Sequence, residues 1–213
     1  MASELTLWVD AFWISPYAFS SFVALEEKKL AYDTAEVAMH KTENRAAEYA
    51  RHSLTARVPM LRHHDFYLAE SSAIAEYLED AFPGTPRLFP EDLQQRARAR
   101  QLMAWVRSDL MPIREERSTN TIFYEPSTTP LSPNAQQAAT KLLGAVGALL
   151  GPGATALFGK FSIADADLAL MLQRLGKSGH PLGDKVQRFV DAVWSRPSVR
   201  KWVDHKRATF IPY

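Results

Sequence analysis

The first 82 residues alternate between short apolar runs and amphipathic segments. The run Leu5–Val9 predicts a strand, and apolar residues at roughly helical spacing after Ser15-Pro16 predict a helix over residues 16–30. The following segments predict a strand, a helix, a hairpin and a helix, at residues 32–39, 45–52, 58–68 and 73–82. An order of β-α-β-α-β-β-α predicts a mixed sheet covered by helices.

The rest of the chain has a helical pattern throughout. The turn-rich stretch Pro83–Pro86 and the lead-in Phe89–Asp92 separate it from the first part. We expect five helices, at residues 93–117, 134–150, 163–175, 185–194 and 198–206. The prediction is therefore an α+β chain, with a first domain over residues 1–83 and an all-α second domain over residues 92–213.

Composition narrows the classes of function. Hydrophobic residues make up 46% of the chain and charged residues 23%, and the formal net charge of +1 gives no case for nucleic acid. The start lacks a signal peptide pattern and no apolar run could span a bilayer, so we expect a cytoplasmic protein without membrane association. With no cysteine, any thiol chemistry requires a thiol that a ligand supplies.

Ser15-Pro16 places a hydroxyl at the start of the first helix, directly after the first strand. The free N–H groups of a helix N-terminus favour an anion there, including a thiolate. The alternative is an ordinary N-cap with proline at the first helical position. Tyr17 is a rival hydroxyl, but it lies inside the helix, where packing is the simpler role.

Two further motifs have a binding and a structural interpretation. Pro59 opens a strand, and a cis Val58-Pro59 bond would leave the backbone of Val58 available to a peptide, whereas the alternative is a proline at an ordinary strand start. Glu70-Ser71 precedes a helix and could bind the ammonium and carboxylate of an amino acid. The alternative there is an imperfect capping box.

Two other patterns predict structure alone. Ser162 and Asp165 form a capping box before a buried helix. The adjacent residues His63 and His64 would face opposite sides of a strand, so we expect no metal site.

In this order, and followed by an all-helical half, these motifs resemble the glutathione transferase family over essentially the whole chain. The resemblance rests on the Val58-Pro59 pair, the Glu70–Ile74 stretch and the segment Phe158–Asp167. Residues Ser15–Tyr17 and Leu110–Arg117 resemble a bacterial, serine-type branch related to the zeta and theta classes. The resemblance implies a thioredoxin-like first domain and a helical-bundle second domain.

The resemblance also implies roles for the candidate residues. Ser15 would donate a hydrogen bond to the thiolate of glutathione, and Val58, beside Pro59, would pair its backbone with the cysteinyl residue. Glu70 and Ser71 would bind the ammonium and the carboxylate of the γ-glutamyl end. Arg57, with Lys41 as a weaker candidate, would contact the glycyl end, so the six binding residues are Lys41, Arg57, Val58, Pro59, Glu70 and Ser71.

The implied activity is attack of the glutathione thiolate on a small electrophile or a hydroperoxide, a detoxification chemistry with possible disulfide reductase side activity. The alternatives are a non-catalytic binding protein of the same fold and a zeta-like cis–trans isomerase. The electrophile is expected in a cleft between domains, near Trp105, Arg107 and the Tyr124–Pro133 loop. The family implies a homodimer; the net charges of −6 over residues 1–85 and +7 over residues 86–213 are compatible with one.

Overall fold

A computed structural model describes residues 3–212, which divide into two units. The first unit combines residues 3–88 with residues 201–212, and the second spans residues 89–200. Among the described residues, none of the helices has both the length and the apolar character that spanning a bilayer requires.

The first unit contains a four-stranded mixed sheet, which confirms the predicted α+β class. Its strands are β1 Leu5–Asp10, β2 Asp33–Val37, β3 Met60–His63 and β4 Phe66–Ala69. The strand order is β2-β1-β3-β4, with β1 parallel to β2 and antiparallel to β3, and β3 antiparallel to β4.

Helices α1 (Pro16–Glu27) and α3 (Ser71–Ala81) pack against each other in this unit. Leu7 and Val9 lie on the same face of β1 and are fully buried, as are Phe19 and Val23 of α1. The period of two in the strand and of about four in the helix thus supply the apolar faces of one core.

Only Ala47–Ala50 is α-helical within the helix predicted over residues 45–52. Two 3-10 turns, Met39–Lys41 and Glu43–Arg45, precede a four-residue helix α2, Ala47–Ala50. Ala46 is extended, with φ of −59° and ψ of 140°, so helical hydrogen bonding begins again only after it. Helix α1 likewise ends at Glu27 and not at residue 30.

Between Leu88 and residue 212 the structure describes seven helices: α4 Leu93–Ser108, α5 Met111–Glu116, α6 Asn120–Phe123, α7 Pro133–Leu149, α8 Ile163–Gly176, α9 Asp184–Trp194 and α10 Pro197–Val203. The prediction of one helix over residues 93–117 is wrong. Leu110 takes a left-handed φ of 63° between α4 and α5. Pro112 lacks an amide proton and its ring would clash with the carbonyl of Ser108 in a continuous helix, so the chain breaks there.

Helix α8 is the central helix of the second unit and is buried from Ile163 to Leu175. Its predicted capping box is confirmed. The carboxylate of Asp165 accepts the N–H and the hydroxyl of Ser162 at 2.7 Å each, and the N–H of Leu157 at 2.7 Å.

The end of the chain returns to the first unit, a feature that the sequence-based boundaries of 1–83 and 92–213 do not contain. Trp202 is fully buried and its ring packs against Trp13, Phe19 and Phe22, with centroids 4.8, 6.0 and 5.3 Å away. Aromatic packing of this kind explains why residues 201–212 group with the sheet.

Candidate functional site

The segments that carry the candidate residues of the first unit all adjoin one edge of the sheet. Trp8 of β1 pairs with Met60 of β3, and Met60 pairs with Ala69 of β4. The C-terminal end of β1, the start of β3 and the end of β4 therefore lie side by side. The segments carrying Ser15, Val58-Pro59 and Glu70-Ser71 leave the sheet at this edge. Strand β2 ends there too, because Val37 pairs with Asp10.

Ser15 is the N-cap of α1 and is half-buried. Its Oγ accepts a hydrogen bond from the N–H of Ala18 at 3.2 Å, which confirms the capping interpretation. This bond uses an acceptor lone pair of the hydroxyl, so the O–H proton is still available to donate. Capping and donation to an anion are therefore compatible in one side chain.

Asp10 at the end of β1 was not identified from the sequence, although it fixes the backbone of Ser15. Its two carboxylate oxygens accept the N–H groups of Ile14 at 2.9 Å and Ser15 at 2.8 Å. Burial raises the pKa of this carboxyl, while the backbone hydrogen bonds act in the opposite direction. A charged residue at the end of an otherwise apolar strand was the signal for it in the sequence.

The Val58-Pro59 peptide bond is cis, in agreement with the motif resemblance. The preceding carbonyls are engaged: that of Arg57 accepts the hydroxyl of Tyr49 at 2.9 Å, and that of Ala56 accepts the amide of Asn44 at 2.8 Å. For Val58 itself, only 8% exposed, no backbone partner is found within residues 3–212. Buried backbone groups are nearly always paired, so Val58 offers a donor and an acceptor to a ligand.

Glu70 and Ser71 lie at the junction of β4 and α3. Helix α3 begins at Ser71 without a side-chain cap, so the proposed capping box is not formed. Glu70 is exposed and takes a φ of 73°, which non-glycine residues rarely adopt. Backbone outliers of this kind concentrate at functional sites, and Ser71 is buried at the adjacent helix start.

Lys41 and Arg57 are the two exposed cations among the candidate residues. Lys41 ends the 3-10 turn that follows β2, and Arg57 lies in the loop before Pro59. His40, beside Lys41, was missed in the sequence analysis. Its ring packs 4.9 Å from that of Phe12, and its buried Nδ1 has no hydrogen-bond partner within the described part of the chain.

The C-terminal segment supports the loop that leads into Ser15. The guanidinium of Arg207 donates to the carbonyl of Trp13 at 3.2 and 3.3 Å, and the ring of His205 stacks on the indole of Trp13 with centroids 3.7 Å apart. Phe210 packs edge-on against Phe12 at 5.3 Å. No local sequence pattern connects residues almost two hundred positions apart, so this support could not be predicted.

A cavity of about 380 Å³ lies beside α2, within the first unit. Its lining includes Trp8, Tyr49, Met60 and Tyr67. None of the predicted site residues lines it, although Val58 packs in one hydrophobic cluster with Tyr49 and Met60 of the lining.

Trp105 and Arg107, predicted near the electrophile, make contacts within the second unit. The indole N–H of Trp105 donates to Asp109 at 2.8 Å, and Arg107 forms an ion pair with Asp167 at 2.6 Å. The loop that follows α6 is held through the N–H of Ser127, which donates to the Ser178 hydroxyl at 3.3 Å. These contacts favour a structural role for Arg107.

Comparison with protein families gives two matches. The model described as "Glutathione S-transferase, N-terminal domain" matches residues 14–81, and the model described as "Glutathione S-transferase, C-terminal domain" matches residues 92–207. The second match alone covers more than half of the chain.

Individual relatives agree with the family models. A crystal structure of a glutathione transferase homologue from Burkholderia gl BGR1 with bound glutathione is 42% identical, covers 94% of this chain and 96% of its own, and has a TM-score of 0.79. Glutathione S-transferase 1 of Dianthus caryophyllus is 35% identical over 53% of this chain and 50% of its own. Maleylacetoacetate isomerase of Dictyostelium discoideum is 31% identical over 48% of each chain. The chain thus spans about half the length of these curated relatives.

Proposed function

Since this chain belongs to the glutathione S-transferase family, we propose that it activates the thiol of bound glutathione for attack on a small electrophile or a hydroperoxide. The observation that carries the proposal is the hydroxyl of Ser15 at the start of α1, on the same sheet edge as the unpaired backbone of Val58. In this proposal, a hydrogen-bond donor for the thiolate and a backbone pairing site for the peptide lie at one edge of the sheet.

In the proposed complex, Val58 exchanges backbone hydrogen bonds with the cysteinyl residue of glutathione. Glu70 binds the γ-glutamyl ammonium, and Ser71, with the N–H groups at the start of α3, binds the γ-glutamyl carboxylate. Arg57 and Lys41 balance the charge of the glycyl carboxylate. The support for these roles is the common sheet edge and the exposure of the three charged side chains.

Activation of the thiol requires a modest free energy. A free thiol has a pKa of about 8.5 and reacts as its thiolate. Lowering that pKa by about two units needs about 2.7 kcal/mol of preferential stabilisation of the thiolate. One charge-assisted hydrogen bond from Ser15 and the N-terminus of α1 together supply that amount, and the serine never has to ionise.

The thiolate would then form a bond to an electrophilic carbon, which loses its leaving group or adds the sulfur across a double bond. With a hydroperoxide it would attack an oxygen and break the O–O bond, giving an alcohol and glutathione sulfenic acid, which a second glutathione converts to glutathione disulfide and water. A zeta-like isomerase, which uses glutathione without consuming it, is the second candidate. The observation in its favour is the similarity to maleylacetoacetate isomerases from Dictyostelium discoideum and Vibrio cholerae, at 31% and 30% identity over about half of the chain.

We further propose a homodimer and a role in detoxification in the cytoplasm. Support for a dimer comes from large apolar side chains that the single chain leaves exposed, among them Leu54 at 94% and Leu93 at 72%. Exposed apolar side chains mark interfaces between chains where they form a contiguous patch. Size-exclusion chromatography with light scattering tests the dimer directly.

The experiment that tests the proposal combines calorimetric titration with glutathione and a pH titration of the bound thiol by its ultraviolet thiolate absorbance. We expect saturable binding and a thiol pKa about two units below that of free glutathione. Absence of binding would refute the proposal. Binding with an unshifted thiol pKa would identify a non-catalytic glutathione-binding protein instead.

A further inference from the structure

The turn between β3 and β4 brings together three side chains that suit a transition metal. Glu4, His63 and His64 each offer a ligand atom, and these atoms all lie within 4.8 Å of one another. Strand alternation would place the two histidines on opposite sides, but His64 lies in the turn with a left-handed φ of 53°. Its ring therefore stacks on that of His63, with centroids 4.6 Å apart.

Backbone pairing fixes the three positions. Leu5 of β1 pairs with His63 of β3, and the N–H of His64 donates to the carbonyl of Glu4 at 3.1 Å. The side chains of Glu4 and His64 are 72% and 62% exposed, and His64 Nε2 lies 3.9 Å from the Glu4 carboxylate. Two of the three ligands can thus move to close around an ion while the backbone holds them together.

His63 is the most rigidly held of the three side chains. Its Nδ1 is hydrogen-bonded to the hydroxyl of Tyr77 at 2.7 Å, which leaves Nε2 to face a ligand. Histidines that bind metals commonly use one ring nitrogen for the ion and donate from the other to an orienting group. Tyr77 would have that orienting role here, and Phe66 packs against its ring with centroids 5.2 Å apart.

We propose that Glu4, His63 and His64 form a site for a divalent transition ion of the Zn²⁺ class. Two imidazole nitrogens and one carboxylate suit Zn²⁺, Ni²⁺ or Cu²⁺, whereas Mg²⁺ prefers oxygen ligands and octahedral geometry. Zn–N and Zn–O distances of about 2.0–2.2 Å require the two exposed side chains to approach by rotamer adjustment. A fourth position is left for water or an external ligand.

The test uses untagged protein, first stripped of metal with a chelator and then transferred to chelator-free, glutathione-free buffer. Calorimetric titration with zinc chloride is expected to show one saturable site per chain. His64→Ala should weaken zinc binding at least about tenfold, and Tyr77→Phe, which keeps the ring, about tenfold. His180→Ala, in the second unit, is the matched control and should leave the affinity unchanged.

Two additional readouts make the result decisive. Zinc should raise the melting temperature of the wild type and not that of His64→Ala, because an ion that binds only the folded state stabilises it. Cobalt chloride should give visible absorption bands that His64→Ala loses. The proposal is overturned if the wild type binds no zinc, if all three variants bind it equally, or if magnesium chloride binds as well as zinc. Glutathione turnover should not change in His64→Ala, so this test is independent of the proposed function.

Discussion

Replacing Ser15 with alanine separates its two roles, because the chain contains a second serine in the same local structure. Ser132 precedes Pro133 as Ser15 precedes Pro16, and its Oγ accepts the N–H of Ala135 at 3.3 Å, against 3.2 Å for the cap bond of Ser15. Each substitution removes one N-cap, a loss of about 1 kcal/mol of stability. Only Ser15 lies at the proposed thiol site.

The expected effect on chemistry follows from the lost hydrogen bond to the thiolate. A charge-assisted hydrogen bond of about 1.5–3 kcal/mol corresponds to a rise of about one to two units in the bound thiol pKa. At neutral pH, a rise of one to two units from a bound thiol pKa of about 6.5 lowers the thiolate fraction, and with it turnover, by about 3-fold to about 25-fold in Ser15→Ala. Glutathione affinity should change little, since most binding contacts belong to other residues.

The assay measures turnover, the pH titration of the bound thiol and the heat of glutathione binding for the wild type, Ser15→Ala and Ser132→Ala. The control is a strict one, because the Ser132 hydroxyl also contacts Glu116 and its loss costs at least as much stability. The reasoning fails if Ser15→Ala keeps wild-type turnover, or if Ser132→Ala loses as much turnover as Ser15→Ala.

Three further substitutions or conditions probe the fold. Asp165→Ala leaves three donors at the start of α8 without their acceptor and should lower the free energy of unfolding by at least about 2 kcal/mol in a denaturant titration. Glu79→Ala leaves the ammonium of Lys28, 1% exposed and 3.2 Å from the carboxylate, without its ion pair; we expect a loss of about 3–5 kcal/mol by the same measurement, and an unchanged midpoint would contradict it. Burial, and then the charge of Arg207, lower the pKa of His205, so protonation disfavours the folded form. The packing of His205 on Trp13 should be fully stable above a pH of about 6.5 and weaken below it, which hydrogen exchange of residues 204–212 can measure at both pH values.

Local patterns predicted much of the fold. The apolar run of β1, the Ser15-Pro16 helix start and the Ser162–Asp165 capping box each depend on residues within a few positions of one another. The single helix predicted over residues 93–117 failed because apolar periodicity continues across the break at Leu110, although Pro112 is a local signal against a continuous helix there.

The sequence predicted the motifs of the candidate site, but it did not predict most of the residues that support them. Ser15, Val58 and Glu70 belong to motifs with a physical meaning, and the sheet register places their segments at one edge. Asp10 was marked only by its charge at the end of β1, and Arg207 acts through a backbone carbonyl almost two hundred positions away, which leaves no local pattern in the sequence. The turn at His64 shows the same limit, because a left-handed residue reverses the side-chain direction that strand alternation implies.

Because Trp202 belongs to its core, the first unit cannot complete its packing until the second unit has been synthesised. During synthesis the sheet and its helices leave the ribosome first, but the indole that fills the space beside Trp13, Phe19 and Phe22 emerges only after the whole second unit. A nascent chain of residues 3–88 therefore lacks part of its own interior and exposes aromatic rings that the finished chain covers. The loop carrying Ser15 can be fully packed only after residues 201–212 have been synthesised. Residues 3–88 should therefore not be treated as a domain that can be expressed alone.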